Sequence, residues 1–412
     1  MRICFALPNA WFGGIRTFVL NLGRQFRMDG HQVSAVIAAR GVGEAGLGDL
    51  DEVREVMDVC LCVQRRVFVR SRFLRRVVKA VDHCRPDTLI LNNALWAQAA
   101  LPHLDPSIRR VVVVHGHAKE EIELAGENPQ YWDALVAVGP GLHQRLVELW
   151  GPERVNLIPV GVAEPRRPPV HDYSADRLRI CYVGRVSQPQ KNVFLIPAVA
   201  RGLAGRGVEF RWTVVGDGPD LPALKAQAAE AAVSEFFDYA GWCPGSQVES
   251  ILAQQHVLVL PSNSESIGHA LLEAQILGVV PVASRLAGAT DFVIQEGRNG
   301  LLCEPGDPGG FVDAVATLSG DRAKLERLSR TAQKDTRDRH TISAAAARYY
   351  RLIRSLPRAA REMQRKAATA GYYPIPRTLL PSRLSTTMSF GKRLIHHLRK
   401  TTAGRRATLG SR

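Results

Sequence analysis

The sequence predicts an α/β protein of two doubly wound parallel-sheet halves facing across a cleft, followed by a basic C-terminal tail. Three observations lead there. Short apolar runs rich in Val, Ile and Leu alternate with helical patterns up to about residue 350. A Pro-rich polar stretch, AEPRRPPVHDYSAD (163–176), interrupts them, and RICYVGRV (179–186) then echoes the opening RICFALP (2–8). Finally, the apolar run Val257 to Leu260 stops at Pro261, and PSNSESIGHALLEAQILGVVPVAS (261–284) reads as loop, helix and strand. That puts a polar loop at the carboxyl end of a strand, where open α/β sheets bind ligands.

Composition sets outer limits. At 412 residues the chain has room for two domains with sizeable cores, and its 46% hydrophobic and 23% charged content is that of a globular protein. No apolar run approaches the ~18 residues of a membrane-spanning helix. The opening MRICFALPNAWFGG has too short an apolar stretch for a secretory signal, so a cytoplasmic location is expected. The net charge of +15 is unevenly placed: the last 62 residues hold fifteen Lys and Arg against a single acid, Glu362, leaving the remaining chain nearly neutral. Seven scattered cysteines without a CxxC pair read as buried free thiols rather than zinc ligands or disulfides, and no metal site is expected.

In the first half, 2–8 reads as a buried strand and Asn9 to Gly14 as a turn-rich loop ending in Gly13-Gly14. Ile15, Phe18, Val19, Leu22 and Phe26 then repeat at helical spacing up to Gly30. A Gly-Gly pair ahead of a helix lets a phosphate approach backbone amides, although alone it is usually just a turn. It is not GxGxxG, so a dinucleotide site is not supported. Gln32 to Ala38 is the next strand. Asp49-Leu50-Asp51 has a cation-holding spacing but no second acidic cluster, and reads as a solvated loop. RRVFVRSRFLRRVVK (65–79) carries seven basic residues and no acid, with Val69, Phe73 and Val77 on one stripe. It suits a surface helix on the sheet or, equally, a helix touching anionic lipid. Strands at 87–93 and 111–114 follow, and His115-Gly116-His117 sits at the carboxyl end of the second. Ala134 to Val138, a helix from Gly141 to Trp150 and a strand from Asn156 to Val160 complete the half.

In the second half, Gly184-Arg185 closes the strand from 179 and Lys191 follows six residues later, two cations able to neutralise a diphosphate. Trp212 to Val215 runs into the turn Gly216-Asp217-Gly218-Pro219, and Phe236 to Gly241 and a helix near Gln247 to Gln254 lead to 257–260. In the 261–284 stretch Glu265 lies in the loop and Glu273 about two turns into the helix, while the amides of Ile267, Gly268, His269 and Ala270 lie at the helix N-terminus, which suits an anion. A bare pair of glutamates at this spacing is more often solvated surface than site; what changes the odds is the motif series along the rest of the chain.

That series, in order, is GGIRTFVLNLGRQFRMDGHQV, VVVVH, NLIPVGV, YVGRVSQPQKN, TVVGDGP, YAGW, LPSNSESIGHALLEAQILGVVPVAS and NGLLCEPGD. It resembles the retaining glycosyltransferases of the GT-B fold, GT4 type (glycosyltransferase group 1), over roughly residues 1 to 350. The resemblance implies two Rossmann-like domains: an acceptor-side domain at 1–163, a linker at 164–177, a nucleotide-sugar-binding domain at 178–340 and a helix at 341–357 packing back across them; the basic tail at 358–412 lies beyond it and is expected from its composition to be mostly disordered. It implies transfer of a sugar from a nucleoside diphosphate to a hydroxyl acceptor, without a metal or other cofactor. Gly14 and the amides of Ile267 to Ala270 would cradle the diphosphate, Arg185 and Lys191 would hold it as it leaves, Glu265 would contact the sugar and Glu273 the ribose. His115 would stand near sugar and acceptor. Ser266 departs from the family's usual Gly, and Asp291 from its usual Glu.

The expected partners are thus a nucleotide sugar and a glycan or lipid-linked acceptor of the cell envelope. An anionic membrane surface is a further candidate, met by 65–79 and by the tail, where Phe390, Leu394, Ile395 and Leu398 form a stripe beside Lys392, Arg393, Arg399 and Lys400. No aromatic-interleaved platform supports nucleic acid. The alternatives carried forward are a sugar-nucleotide epimerase and a non-catalytic sugar-nucleotide-binding protein.

Overall fold

The computed structural model describes residues 1–10, 13–40, 50–64, 70–166, 169 and 171–357. Asp49, the 65–69 part of the basic segment and the whole 358–412 tail lie outside them.

Among the described residues the first half forms a seven-stranded parallel sheet: β1 (Arg2–Leu7), β2 (Gln32–Arg40), β3 (Asp58–Gln64), β4 (Thr88–Asn92), β5 (Arg109–Val114), β6 (Ala134–Ala137) and β7 (Val155–Leu157), in the order β3-β2-β1-β4-β5-β6-β7. The second half forms a six-stranded parallel sheet: β8 (Leu178–Val183), β9 (Phe210–Val215), β10 (Phe237–Gly241), β11 (Val257–Leu260), β12 (Val280–Ser284) and β13 (Leu301–Cys303), ordered β10-β9-β8-β11-β12-β13. Both orders reverse beside the first strand of the half, so the crevice for a ligand opens at β1/β4 and at β8/β11. The strands read as unbroken apolar runs because helices cover both faces, and β4, β6, β11 and β12 are buried at every position.

One expectation needs correction. Asp51 is not in a solvated loop: it opens the helix Asp51–Val56, where its carboxylate suits the first turn. The basic segment's described part is helical, Arg70–Cys84, as the surface-helix reading expects. Phe73 and Val77 are fully buried against the sheet, while Arg72, Arg75, Arg76 and Lys79 lie on the exposed side.

The chain passes from the first sheet to the second after β7 and returns at its end. The helix Ile342–Ser355 packs on the helix Gly14–Met28 of the first half. Tyr349 meets Phe18 at 6.0 Å between ring centroids, Tyr350 meets Phe26 at 6.2 Å, and the Tyr350 hydroxyl is 3.2 Å from His31 Nδ1. Where the chain crosses, Val162 N donates to His340 O at 2.8 Å and Ile342 N to Val162 O at 2.9 Å.

Candidate functional site

Two helix N-termini meet at the cleft. In the first half, Gly13 at φ 147° turns the chain out of β1, and Gly14 begins the helix Gly14–Met28. The two glycines serve different needs. Gly13 adopts a backbone angle that side chains disfavour, whereas Gly14 leaves space: a Cβ there would stand 2.7 Å from His269 Cδ2 of the other half. In the second half, Gly268 at φ 78° precedes the helix His269–Ile276. Neither helix has a side-chain cap or an acidic residue in its first turn. Neither N-cap glycine can cap its helix with a side chain, and both positive dipole ends lie at the cleft.

Beside them lies a mostly buried ion pair. Lys191 ends the short helix Gln188–Lys191, which Asp220 fixes by accepting from Gln188 N at 2.7 Å, and Asn263 N donates to Gln190 O at 2.9 Å to join the two loops. Lys191 Nζ thereby reaches Glu265 Oε1 at 2.5 Å, with side-chain exposures of 18% and 7%, and Ser262 Oγ donates to the same oxygen at 2.8 Å. Arg185 is exposed at the end of β8, and the Tyr182 hydroxyl donates to its carbonyl at 2.7 Å. The TVVGDGP glycines matter here through space: a Cβ on Gly216 would strike Gly184 O, and one on Gly218 would strike Val186 O. Val186 N donates to Asp217 O at 3.0 Å, so the Arg185 loop lies directly on the GDGP turn.

His115 follows β5 with its ring edge-on to Phe18 at 5.0 Å and its Nε2 2.9 Å from Asn92 Oδ1. Asn92 Nδ2 donates to Ile90 O, which aims Oδ1 at His115 and assigns the ring proton to Nε2. Burial, reinforced by His269, lowers the His115 pKa to about 3; burial and Lys191 lower that of His269 to about 4. Both rings are neutral at physiological pH, and His115 Nδ1 is left as an acceptor. His117 sits to one side, its carbonyl accepting from Arg145 Nη1 at 3.0 Å. Glu273 lies one face along its helix, and burial lifts its carboxyl to about 7.

The halves also touch directly. Ser266 Oγ donates to His115 O at 2.5 Å, which gives a use to the serine that departs from the family's usual glycine. Gly141 N donates to Gly288 O at 3.0 Å, and the Gly139 backbone packs against Ser266 O. Asp291, the other departure, accepts from Gly288 N at 2.8 Å and so shapes that same contact loop.

The fold thus brings Gly14, His115, Lys191, Glu265, Ser266, Ile267, Gly268, His269 and Ala270 to one place, with Arg185 at its exposed rim and Glu273 behind. Sequence reasoning missed Asn92, Tyr182, Ser262 and Glu121, whose carboxylate lies against Gly116. Asn92 carried a signal, as a polar residue ending a wholly apolar strand; the others carried none outside the fold. Among the described residues no group of three or more His, Cys, Asp or Glu could hold a metal ion, and no helix is long and apolar enough to cross a membrane.

Comparison with known proteins fits this geometry. Residues 12–164 match the profile of glycosyltransferase family 4, and residues 166–335 that of glycosyl transferases group 1. The 2-deoxystreptamine glucosyltransferase of Streptomyces kanamyceticus is 29% identical over 178 residues, 42% of this chain and 46% of that protein. The lipopolysaccharide core biosynthesis glycosyltransferase LpsE of Rhizobium meliloti is 28% identical over 229 residues, 55% of this chain and 65% of that protein. The chain thus spans about half to two thirds of the length of these relatives. Among solved structures, Anabaena Alr3699/HepE in complex with UDP and glucose superposes with a TM-score of 0.71 at 17% identity, over 86% of this chain and 100% of that one. Staphylococcus aureus TarM superposes with a TM-score of 0.71 at 10% identity, over 86% and 99%. At these identities the likeness is one of fold.

Proposed function

The chain belongs to the group 1 (GT4-type) glycosyltransferases, and from that premise we propose that it moves a sugar from a nucleoside-diphosphate donor to a hydroxyl acceptor with retention of configuration, in the making of a cell-envelope glycan or glycolipid. One observation carries the proposal: the uncapped N-termini of Gly14–Met28 and His269–Ile276 meet beside the Lys191–Glu265 pair.

Breaking the bond between sugar and diphosphate builds positive charge on the sugar and negative charge on the leaving group. The amides at Gly14 and at Ile267 to Ala270 take the growing negative charge, together with Lys191 and Arg185. Because those amides are fixed in place before the donor arrives, they need no reorganisation as charge develops. Glu265, held by Lys191 and Ser262, faces the sugar. Glu273 accepts from the ribose hydroxyls, and His115, neutral and fixed by Asn92, offers Nδ1 as an acceptor to a sugar or acceptor hydroxyl. The cations and amides supply the charge that a metal would otherwise supply, so turnover should persist in chelator.

Donors carrying UDP are the first to test, given the UDP bound by Alr3699/HepE. The proposed acceptor is lipid-linked, met at the inner face of a membrane, where Arg72, Arg75, Arg76 and Lys79 with the basic tail would contact anionic lipid. Incubating the chain with a panel of nucleotide sugars and envelope glycolipid acceptors, with NMR of the product's anomeric proton, tests the proposal. It expects an unchanged anomeric configuration and loss of transfer in Glu265→Gln and Arg185→Ala chains that stay folded. Inverted product refutes retention, and near-normal turnover by either variant refutes the site. Sedimentation with anionic vesicles that is unaffected by removing 358–412 and by neutralising the helix cations removes the membrane contact.

A further inference from the structure

Away from the cleft, three thiols converge under the outer edge of the first sheet. Cys4 on β1 pairs with Ser34 of β2, Cys60 on β3 pairs with Val36 two residues further along β2, and Cys84 closes the helix Arg70–Cys84 above them. Cys84 Sγ lies 3.5 Å from Cys60 Sγ, and both residues are half-buried. The pairing follows from geometry. That helix runs antiparallel to β3, so Cys62, one pleat beyond Cys60, faces Arg76 O at 3.6 Å, two turns before Cys84. Cys4 is fully buried, whereas Cys84 opens into a surface depression shared with Arg2, Lys79, His83 and Arg85 and with one acid, Asp82. A small oxidant can reach Cys84 there, and the basic rim favours a thiolate.

We propose that Cys60 and Cys84 form a reversible disulfide, making this corner of the first sheet a peroxide-responsive thiol pair. The Cys84 thiolate attacks one oxygen of the peroxide and breaks the O–O bond, leaving a sulfenic acid and, after proton uptake, water. The Cys60 thiol then attacks that sulfur, the S–S bond forms, and the hydroxyl leaves as a second water with the thiol's proton. Two thiols are oxidised by two electrons, and one peroxide is reduced to two waters. The cluster divides the roles. Hydrogen bonding with Cys4, Ser34 and Cys60 outweighs burial and lowers the Cys84 pKa. Burial and then Cys84 raise that of Cys60, so Cys60 is the thiol that stays protonated until it meets the oxidised Cys84 and gives up its proton in the attack. Under reducing conditions such a bond is transient, and a small thiol restores both partners.

The test uses the full chain, reduced, exposed to hydrogen peroxide, alkylated under denaturing conditions and mapped by mass spectrometry. The proposal expects a linked peptide joining Cys84 to Cys60, absent after dithiothreitol and absent from Cys60→Ser and Cys84→Ser chains. Cys84 should react about tenfold or more faster than the buried Cys243. In the Cys60→Ser chain a sulfenic-acid probe should label Cys84, since the resolving thiol is gone. Unchanged alkylation of Cys60 and Cys84 after peroxide overturns the proposal, as does a bond from Cys84 to Cys4 or Cys62.

Discussion

Gly14→Ala tests how closely the two halves fit. The added methyl would sit 2.7 Å from His269 Cδ2, whereas ordinary contact begins at 3.4 Å, so about 0.7 Å of displacement must come from somewhere. The imidazole is a rigid plane between the Gly14 backbone and the surroundings of His115 and Lys191, so the strain passes into the contact between the halves. Overpacking of this kind costs about 1–3 kcal/mol. Without His269 the sign changes: at the first helical position Ala is favoured over Gly by up to about 1 kcal/mol. Calorimetric melting of the two single variants and the double variant Gly14→Ala/His269→Ala measures the coupling. Gly14→Ala should lower the melting temperature in the otherwise unaltered chain and leave it level or raised in the His269→Ala chain. A methyl that is harmless in the unaltered chain, or equally harmful in both, refutes the proposed fit.

Three further outcomes are expected. Lys191→Met should cost about 3 kcal/mol or more by stranding a buried carboxylate, and adding Glu265→Gln should recover part of that loss; a double variant no better than the single refutes the pairing. Glu273, raised above its ordinary range to about 7, opposes folding as it ionises, so stability contributed by its protonated form is lost as pH climbs from about 4.5 to 7. Glu273→Gln should then stabilise the unliganded chain by about 1–2 kcal/mol above pH 7 and little below pH 4.5, as denaturant titrations at both pH values would show. The histidines behave oppositely. His115, His256, His269 and His340 are held neutral, with pKa values near 3 to 4, so the stability they contribute is present above about pH 6.5 and is lost as pH falls toward 4, each adding a slope of up to about 1.4 kcal/mol per pH unit. A flat stability profile between pH 6.5 and 4 would contradict this.

The sheets were legible because buried parallel strands are short apolar runs, and the two glycine-led helices because a polar loop after such a run has few other uses. Strand ends drifted by one to three residues, as at Val183 against Val186. The site was legible where chemistry needs a particular side chain: Lys191, Glu265 and His115 stood out as polar groups at strand ends. What could not be read were contacts between distant segments. Ser266 meets a carbonyl 151 residues away, and nothing local marks a serine for that. Gly14 was marked out only by the family resemblance, and its contact with His269 across the cleft could not be read.

The paired crossing between the halves limits how they can move. Val162 and Thr341 form a single parallel bridge where the backbones touch so closely that a Cβ on Gly161 would lie 2.6 Å from Ile342 Cα. A single connecting strand would let one half swivel freely on the other. Two strands stitched together bend like a strap, about one axis, and resist torsion. Opening of the cleft therefore has to carry both crossing segments together, with the contact of His269 on Gly14 giving way across it.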